Sequence, residues 1–255
     1  MELYEADRLV RTWLEYIKNE LIPKRSDDLG YSTKKNYRDL VTVVDKNVEK
    51  YLREQIMEHF PESEIIGEES SDGSYRTSAD LVWLIDPIDG TANFVKQRED
   101  YCVMIACFER EVPVLAYIYN VYRDELTSAI RGNGVFVNDR KLDRPENISL
   151  KDAMISADIR RMSETELCRA LIENSFDIRY IGSAGLDAAK VASGCFGGYF
   201  SPMAGGPWDF APFILMAEEL GLHLSTWSGE KLSIHKTTSF VLCTEQIYDD
   251  VKEFM

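Results

Sequence analysis

The stretch WLIDPIDGTANF, residues 83–94, places two acids three positions apart around a proline. The apolar residues before Asp86 predict a strand, which would deliver that acid to a strand's C-terminal end, where open α/β sheets bind their ligands. Pro87 cannot continue a strand ladder, so the chain is predicted to turn there. An ordinary turn needs only one acid, yet Asp89 follows at once. We therefore predict that both acids hold metal ions.

The residues after the second acid predict a phosphate site. Gly90 permits a tight bend, and Thr91 is predicted to be the N-cap of a helix over TANFVKQ. The free N–H groups of such a helix end attract anions. An isolated Asp-Gly pair is more often a plain turn before a capped helix. The complete set of Asp, Pro, Asp, Gly and Thr favours the functional alternative.

Composition narrows the class of protein. The 255 residues allow one large domain or two closely packed halves. With 44 acids against 29 bases the net charge is −15, and no basic patch interrupts the sequence, so nucleic acid is not expected as a partner. Divalent cations held by some of the acids would make this acidity compatible with a phosphate-bearing substrate.

The sequence also predicts where the protein works. No apolar run approaches the roughly 20 residues of a membrane span, and the opening MELYEADRLV is acidic and amphipathic, unlike a signal peptide. We therefore expect a cytoplasmic protein without a membrane partner. Five cysteines without a C-x-x-C pair favour reduced thiols over disulfides or a zinc site.

Hydrophobic periodicity predicts the order of elements. An opening helix is followed by a polar loop, a second helix, a sheet-rich middle and an alternating α/β layer, and a last helix is predicted to begin at Asp209. The predicted bounds are 2–22 and 41–60 for the first two helices, 24–39 for the loop, 63–70, 79–86, 101–108, 112–119 and 126–130 for strands, and about 150 for the start of the alternating layer. No linker divides the chain.

Two further acidic elements follow or precede apolar segments. Glu68 and Glu69 come after a short apolar strand, and Asp209 opens a strongly apolar helix. For the two glutamates the alternative interpretation is a solvated loop. For Asp209 it is a helix N-cap worth about 1 kcal/mol.

Taken in order, five motifs resemble the successive signatures of the inositol monophosphatase family of Mg²⁺-dependent, lithium-sensitive phosphatases. They are DLVTVVD (39–45), GEES (67–70), DPIDGTANF (86–94), GSAG (182–185) and WDFAP (208–212). The resemblance implies a layered α/β fold, an αβαβα sandwich of the inositol monophosphatase and fructose-1,6-bisphosphatase type. It implies one catalytic unit over 1–255, with a sheet-rich half over about 1–146 and an alternating half over about 147–255. It also implies a homodimer.

The resemblance assigns two or three Mg²⁺ ions per subunit. Glu68, Asp86 and the backbone carbonyl of Ile88 would hold one ion, while Asp86, Asp89 and Asp209 would hold a second. Glu68 would share a weaker third. Ligation by oxygen alone is what a hard cation such as Mg²⁺ prefers. The three histidines lie outside every motif and are predicted to be structural.

The same resemblance assigns the catalytic groups. Thr91 and Asp45 would orient and deprotonate the attacking water, with Glu68 also in the catalytic set, while the N–H groups of Gly90 and Thr91 hold phosphate oxygens. Direct hydrolysis is predicted, since no nucleophile motif such as G-x-S-x-G is present. A non-catalytic metal-binding scaffold is disfavoured because it would not need the pair of Asp45 and Thr91. Lys34 matches a family lysine near the metals, and a solvated loop lysine explains it equally well.

The sequence departs from the family's pattern at the residues that set substrate selectivity. Arg179, Ser183 and Ala184, with Asp89 and Asp209, fall where sugar or inositol contacts are expected. Inositol-specific members place a glutamate where this chain has Ser201 and Pro202, and Asp187 is the nearest upstream alternative. Inositol monophosphate is the first predicted substrate because of the IDGT-x-NF form. NADP 2′-phosphate and fructose 1,6-bisphosphate are the alternatives, alone or alongside it.

Overall fold

The computed structural model describes residues 1–22, 29–33, 40–202 and 205–255. Lys34 and most of the loop predicted over 24–39 lie outside these residues. The helices are α1 (Leu3–Tyr16), α2 (Val43–His59), α3 (Thr91–Lys96), α4 (Ile159–Met162), α5 (Glu166–Asn174), α6 (Ala184–Ala192), α7 (Ala211–Leu220) and α8 (Glu245–Val251). A π-helical turn (Ile17–Leu21) extends α1, and 3₁₀ turns cover Leu150–Asp152, Pro207–Asp209 and Lys252–Phe254.

Two large sheets carry the fold. The strands are β1 (Ser32–Thr33), β2 (Leu40–Val41), β3 (Glu64–Gly67), β4 (Leu81–Asp89), β5 (Cys102–Glu109), β6 (Val112–Asn120), β7 (Glu125–Ile130), β8 (Gly134–Val137), β9 (Arg140–Lys141), β10 (Met154–Ala157), β11 (Asp177–Arg179), β12 (Gly198–Ser201), β13 (His223–Ser225) and β14 (Phe240–Cys243). Strands β3 to β9 form a seven-stranded sheet in chain order, antiparallel except for the parallel pair β3 and β4. The five-stranded sheet has the order β11, β10, β12, β14, β13, with β10 parallel to both of its neighbours.

Helices and sheets alternate in five layers. Helices α1 and α2 pack on one face of the seven-stranded sheet, α6 and α7 lie between the two sheets, and α5 and α8 cover the far face of the five-stranded sheet. Strand β4 shows why both faces of the seven-stranded sheet are covered by helices, because its apolar side chains point alternately to the two faces. Trp83 and Ile85 join the core under α1 and α2, while Val82 and Leu84 pack with Ala211 of α7. The layered α/β prediction, an αβαβα sandwich, is confirmed.

Several predicted boundaries need correction. Strand β4 does not end before Pro87 but continues to Asp89, and the proline is accommodated because the register shifts between Asp86 and Asp89. Thr91 is not the N-cap of α3 but its first residue; Gly90 is the cap, in a left-handed conformation with φ of 85°. The helix predicted to start at Asp209 starts at Ala211 and is not the last, because α8 follows.

The predicted seam near residue 146 falls between β9 and the 3₁₀ turn that starts at Leu150. The division into two halves stays a prediction. In the part of the chain that the structure describes, no helix is long and apolar enough to cross a bilayer.

Candidate active site

Parallel pairing of β3 and β4 brings the first two acids together. Gly67 lies opposite Ile85, and the N–H of Glu68 donates to the Ile85 carbonyl at 3.1 Å. Glu68 directly follows β3, and Asp86 follows Ile85 in β4, so the two acids lie side by side at this end of the strand pair. Asp86 is buried, and its Oδ1 accepts a hydrogen bond from the Ile88 N–H at 3.1 Å. Burial raises its pKa well above the usual range, and repulsion by Glu68 and then by Asp89 adds to this rise.

Helix α2 holds the loop that carries Glu68. The carboxylate of Glu49 accepts hydrogen bonds from the N–H groups of Glu69, at 2.7 Å, and Ser70, at 3.1 Å. Gly67 leaves room for this contact, because a Cβ there would come within 2.5 Å of the Glu49 side chain. The loop is thereby fixed against the same helix that carries Asp45 in its first turn.

Asp89 lies at the N-terminus of α6 and receives four hydrogen bonds. Its Oδ1 accepts from the Ala184 N–H at 3.1 Å, and its Oδ2 accepts from the Gly185 N–H at 2.8 Å, the Ser183 hydroxyl and the Cys102 thiol. Burial raises the pKa of Asp89, and these hydrogen bonds oppose the rise. A Cβ on Gly185 would come within 2.5 Å of the Cys102 sulfur. The GSAG segment is therefore shaped to grip this carboxylate.

Asp209 ends the 3₁₀ turn that precedes α7. Its Oδ2 accepts hydrogen bonds from the N–H groups of Gly205 and Gly206, the second at 3.1 Å. Because the N-cap of α7 is Phe210, without a side-chain cap, the interpretation of Asp209 as the cap of that helix is wrong. Burial raises the pKa of Asp209 to about 8, with further contributions from Glu68 and Asp89.

Hydrogen bonds connect Asp45, through Thr91, to Ile88 of β4. Asp45 is fully buried, and its Oδ2 accepts from both the N–H and the hydroxyl of Thr42. The Thr91 hydroxyl lies 3.2 Å from Asp45 Oδ1 and 3.0 Å from the Ile88 carbonyl oxygen. One hydroxyl proton can serve only one of these acceptors at a time. Burial raises the pKa of Asp45, and the hydrogen bonds from Thr42 and Thr91 oppose that rise.

The chemistry of the carboxylates fits a divalent cation. No ion pair in the described ranges involves Asp86, Asp89 or Asp209, so their mutual repulsion is not offset by a side-chain cation there. Oxygen donors of this kind suit Mg²⁺. Among the described residues no three acidic, histidine or cysteine side chains form a ready-made metal cage. The carboxylate oxygens of Asp89 and Asp209 accept hydrogen bonds from backbone N–H groups and are therefore not turned towards the other acids.

Two cavities meet at Asp209. The first, called the ester cavity here, measures about 230 Å³ and is lined by Asp89, Asp158, Arg161, Tyr180, Gly182, Ala184, Tyr199, Phe200, Ser201, Pro202, Gly205, Asp209 and Phe240. The second measures about 580 Å³ and includes Lys46, Glu68, Glu69 and Trp208 in its lining. A molecule in the ester cavity would therefore lie directly against Asp89 and Asp209.

A model of the inositol monophosphatase family matches residues 2–252. The chain belongs to the inositol monophosphatase family. It is therefore a phosphatase, a hydrolase of phosphoric monoesters, as the sequence predicted.

Curated relatives and solved structures agree. The chain is 31% identical over 255 residues to the inositol-1-monophosphatase of Bacillus subtilis (strain 168), covering 98% of this chain and 96% of the relative. It is 35% identical over 213 residues to the Nus factor SuhB of Pasteurella multocida (strain Pm70), covering 81% and 78% of the two chains. An IMPase/NADP phosphatase complexed with Mg²⁺ and phosphate superposes with a TM-score of 0.93 at 35% identity, covering 100% and 96%. A dual-specific IMPase/NADP phosphatase bound with D-inositol-1-phosphate superposes with a TM-score of 0.89 at 33% identity, covering 100% of this chain and 96% of that chain.

The predicted substrate residues fall into two places. Ser183 and Ala184 lie beside Asp89, but the Ser183 hydroxyl already donates a hydrogen bond to that carboxylate. Arg179 lies elsewhere, paired with Asp177 at 2.7 Å, and lines a larger cavity on the other side of Tyr180. The structure therefore does not bring Arg179 to the carboxylates.

Asp187 faces the interior. It is fully buried, its Oδ1 accepts from the Ser156 hydroxyl at 2.6 Å and the Ile181 N–H at 3.3 Å, and it does not line the ester cavity. Its Oδ2 has no hydrogen-bond partner within the described residues. Burial raises the pKa of this carboxyl to about 7. Asp187 is therefore poorly placed to replace the glutamate of the inositol-specific members.

Sequence reasoning missed the residues that support the ligands. Thr42 could have been found, because T-x-x-D before an apolar helix is a variant of the capping-box pattern. Nothing in the local sequence marks Cys102 or Glu49 as partners of the site. The same holds for Asp158 and Arg161, an ion pair at 3.3 Å on the wall of the ester cavity.

Proposed function

We propose that this protein is a Mg²⁺-dependent phosphomonoesterase that hydrolyses inositol monophosphate by direct attack of water. The observation that carries the proposal is the convergence of buried Asp86 and Asp89 with Glu68 and Asp209, next to the hydrogen-bonded pair of Asp45 and Thr91. Solved relatives of the same fold are described with Mg²⁺ and phosphate and with D-inositol-1-phosphate.

We infer that the acids hold the metal ions in the arrangement expected from the family. Glu68, Asp86 and the Ile88 carbonyl would bind one ion, and Asp86, Asp89 and Asp209 a second, with Glu68 at a third. Bound Mg²⁺ would supply the positive charge that offsets the phosphate and would make a water molecule acidic enough to attack at neutral pH. Asp89 and Asp209 would exchange some of their backbone hydrogen bonds for this ligation.

Asp45 and Thr91 would manage the proton of the attacking water. When the Ile88 carbonyl serves as a ligand, the Thr91 hydroxyl is left to donate to Asp45 Oδ1, and its oxygen can accept a hydrogen bond from water. Asp45 is suited to be the base because burial raises its pKa towards the working range. Thr42 fixes the orientation of this carboxylate through its N–H and hydroxyl.

The substrate would bind with its phosphate at the start of α3 and its alcohol portion in the ester cavity. The N–H groups of Gly90 and Thr91, at the first turn of α3, are the proposed phosphate ligands. Ser201 and Pro202 line the cavity where an inositol-specific enzyme would offer a glutamate. Without that charge-assisted contact, worth about 1.5 to 3 kcal/mol, selectivity for inositol should be modest.

NADP 2′-phosphate is the second candidate substrate, and fructose 1,6-bisphosphate is a third. NADP is favoured by the wall of the ester cavity, which presents the rings of Tyr180 and Tyr199 together with Arg161, a base that is ion-paired with Asp158. Relatives of the same fold are described as IMPase/NADP phosphatases. A homodimer and a cytoplasmic location remain part of this proposal. Several relatives are named Nus factor, but the net charge of −15 gives no support to nucleic-acid binding by this chain.

The proposal is tested by phosphate release from inositol 1-phosphate, NADP and fructose 1,6-bisphosphate, each with pure protein and Mg²⁺. We expect turnover of inositol 1-phosphate, and its loss when Mg²⁺ is chelated. The Asp45→Asn variant is the matched control for contaminating phosphatase, since it keeps the size of the side chain and removes the proposed base. Zero release from all three esters by the wild-type protein would refute the proposal.

A further inference from the structure

A second large cavity has a local charge opposite to that of the whole protein. It measures about 750 Å³ and is bounded by α3, the ends of β6 and β7, the β8 and β9 hairpin, β11 and α6. Its lining includes the four bases Arg123, Arg140, Arg179 and Lys190, against the two acids Asp100 and Glu125. We call it the basic cavity. An excess of positive charge here, in a chain of net charge −15, favours an anionic ligand.

Most of these cations have no counterion among the residues that the structure describes. Arg179 is paired with Asp177, but Arg123, Arg140 and Lys190 take part in no ion pair within residues 1–22, 29–33, 40–202 and 205–255. In a chain with 44 acids, unpaired cations gathered at one concavity are an unexpected arrangement. Guanidinium groups are well suited to phosphate, because their planar N–H forks match its oxygens.

The basic cavity adjoins the active site. Tyr180 lines both the basic cavity and the ester cavity, so one side chain belongs to both walls. Asn93 lines the basic cavity and lies three residues after Gly90, about 4.5 Å further along the axis of α3. Its Nδ2 donates to the carbonyls of Asp100 at 2.8 Å and Ile181 at 2.9 Å, which fixes this boundary. The two cavities therefore share a wall at Tyr180.

We propose that the basic cavity binds a second, non-reacting anionic group of the substrate, while the phosphate to be hydrolysed lies at the carboxylates. The substrate class is a phosphate monoester whose alcohol portion itself carries phosphate, with the pyrophosphate of NADP as the probe of choice. This inference rests on the proposed phosphatase function and names the substrates that the same site prefers. Arg123, Arg140 and Lys190 provide the selectivity that the missing glutamate does not.

The test compares two esters that share the reacting group. NADP and adenosine 2′-phosphate both present a 2′-phosphate on adenosine, but only NADP carries the pyrophosphate. In the double variant Arg140→Gln/Lys190→Gln we expect kcat/KM for NADP to fall at least about tenfold, because two charged hydrogen-bond donors are lost. The kcat/KM for adenosine 2′-phosphate should change less than about twofold. The effect on NADP should also shrink at high ionic strength, where exposed charges are screened.

A matched control removes the same charge elsewhere. Arg8 and Lys151 are exposed and line neither cavity, so Arg8→Gln/Lys151→Gln should leave both rates unchanged. An equal effect of the cavity variant on the two esters, or none on NADP, overturns the inference. A cavity variant that changes the mass of the protein in sedimentation would show instead that this surface pairs two copies of the chain. Should the wild-type protein hydrolyse no ester, the proposed function fails, and calorimetric titration with the two nucleotides still decides whether the pyrophosphate is bound.

Discussion

Replacing Asp209 by asparagine should separate stability from activity. The substitution keeps the shape of the side chain and an oxygen that can accept from the N–H groups of Gly205 and Gly206, but it removes one negative charge. The folded-state pKa of Asp209 is raised from 3.8 to about 8 by burial, then by Glu68 and Asp89. A raised folded pKa means that stability is fully present below about pH 4 and is lost as pH rises through about 8.

The expected gain in stability follows from this rise. At pH 7.5 and without metal, ionisation of Asp209 would cost the fold about 5 kcal/mol if the shift acted in full. Asp209 is partly exposed, so solvent screening reduces this, and we expect the variant to gain about 2 kcal/mol. For a chain of this length each kcal/mol moves the melting temperature by about 2–4 °C. Metal-free Asp209→Asn should therefore melt at least about 4 °C above the wild type.

Activity should move in the opposite direction. If Asp209 helps to hold Mg²⁺, its loss should lower kcat by at least about a hundredfold, a barrier increase of about 2.7 kcal/mol. The assay is kcat over a Mg²⁺ titration together with melting curves in chelator and in Mg²⁺. Mg²⁺ should raise the melting temperature of the wild type more than that of the variant. Asp187→Asn is the matched control, because it also removes a buried carboxylate of raised pKa but lies off the metal site. Near wild-type turnover of Asp209→Asn at saturating Mg²⁺ would refute the metal assignment.

Three further outcomes are expected. Burial raises the pKa of Asp187 from 3.8 to about 7, so the free energy of unfolding of the wild type should fall by up to about 4 kcal/mol between pH 4 and 7. Denaturant melts of Asp187→Asn should show a smaller dependence of this free energy on pH. An unchanged pH dependence in the variant contradicts the burial argument. Asp45→Asn should reduce kcat at least about a hundredfold while calorimetry shows Mg²⁺ binding nearly unaltered; lost binding would make Asp45 a ligand rather than a base. Li⁺ at millimolar concentration and Ca²⁺ should each inhibit turnover in Mg²⁺, since Ca²⁺ prefers longer bonds and more ligands, and full activity with either ion would count against an open carboxylate site.

The order of the elements could be predicted from the sequence where local patterns decide the outcome. Alternating and continuous apolar runs located β3 to β7 of the seven-stranded sheet, and an acid at the end of each of two predicted strands located Glu68 and Asp86, which the parallel pairing of β3 and β4 brings together. Local patterns failed where several conformations compete within a few residues. Thr91 resembles an N-cap, but Gly90 takes the left-handed conformation of the cap, and the Thr91 hydroxyl is directed to Ile88 and Asp45 instead.

The partners of the acids could not be predicted because they come from distant parts of the chain. Ser183 is 94 positions from Asp89, and Cys102 reaches the same oxygen from a neighbouring strand. The pairing of β4 with β5 places Cys102 opposite Asp89, and the packing of α6 between the two sheets brings Ser183 there. The basic cavity has the same origin, since Arg123, Arg140 and Lys190 lie on different elements and form no patch in the sequence.

The hydrogen bonds to the acids also account for how an acidic cluster survives in the folded protein. Among the described residues, Asp89 receives four donors, which oppose the effect of burial on its pKa, whereas Asp209 receives two backbone N–H groups and its pKa rises to about 8. Asp86, with one such donor and Glu68 beside it, is raised well above its usual range. Without a cation, burial and the repulsion between neighbouring carboxylates therefore favour the protonated form of Asp86 and Asp209. A divalent cation replaces those protons, so metal binding and the ionisation of Asp86 and Asp209 stabilise each other.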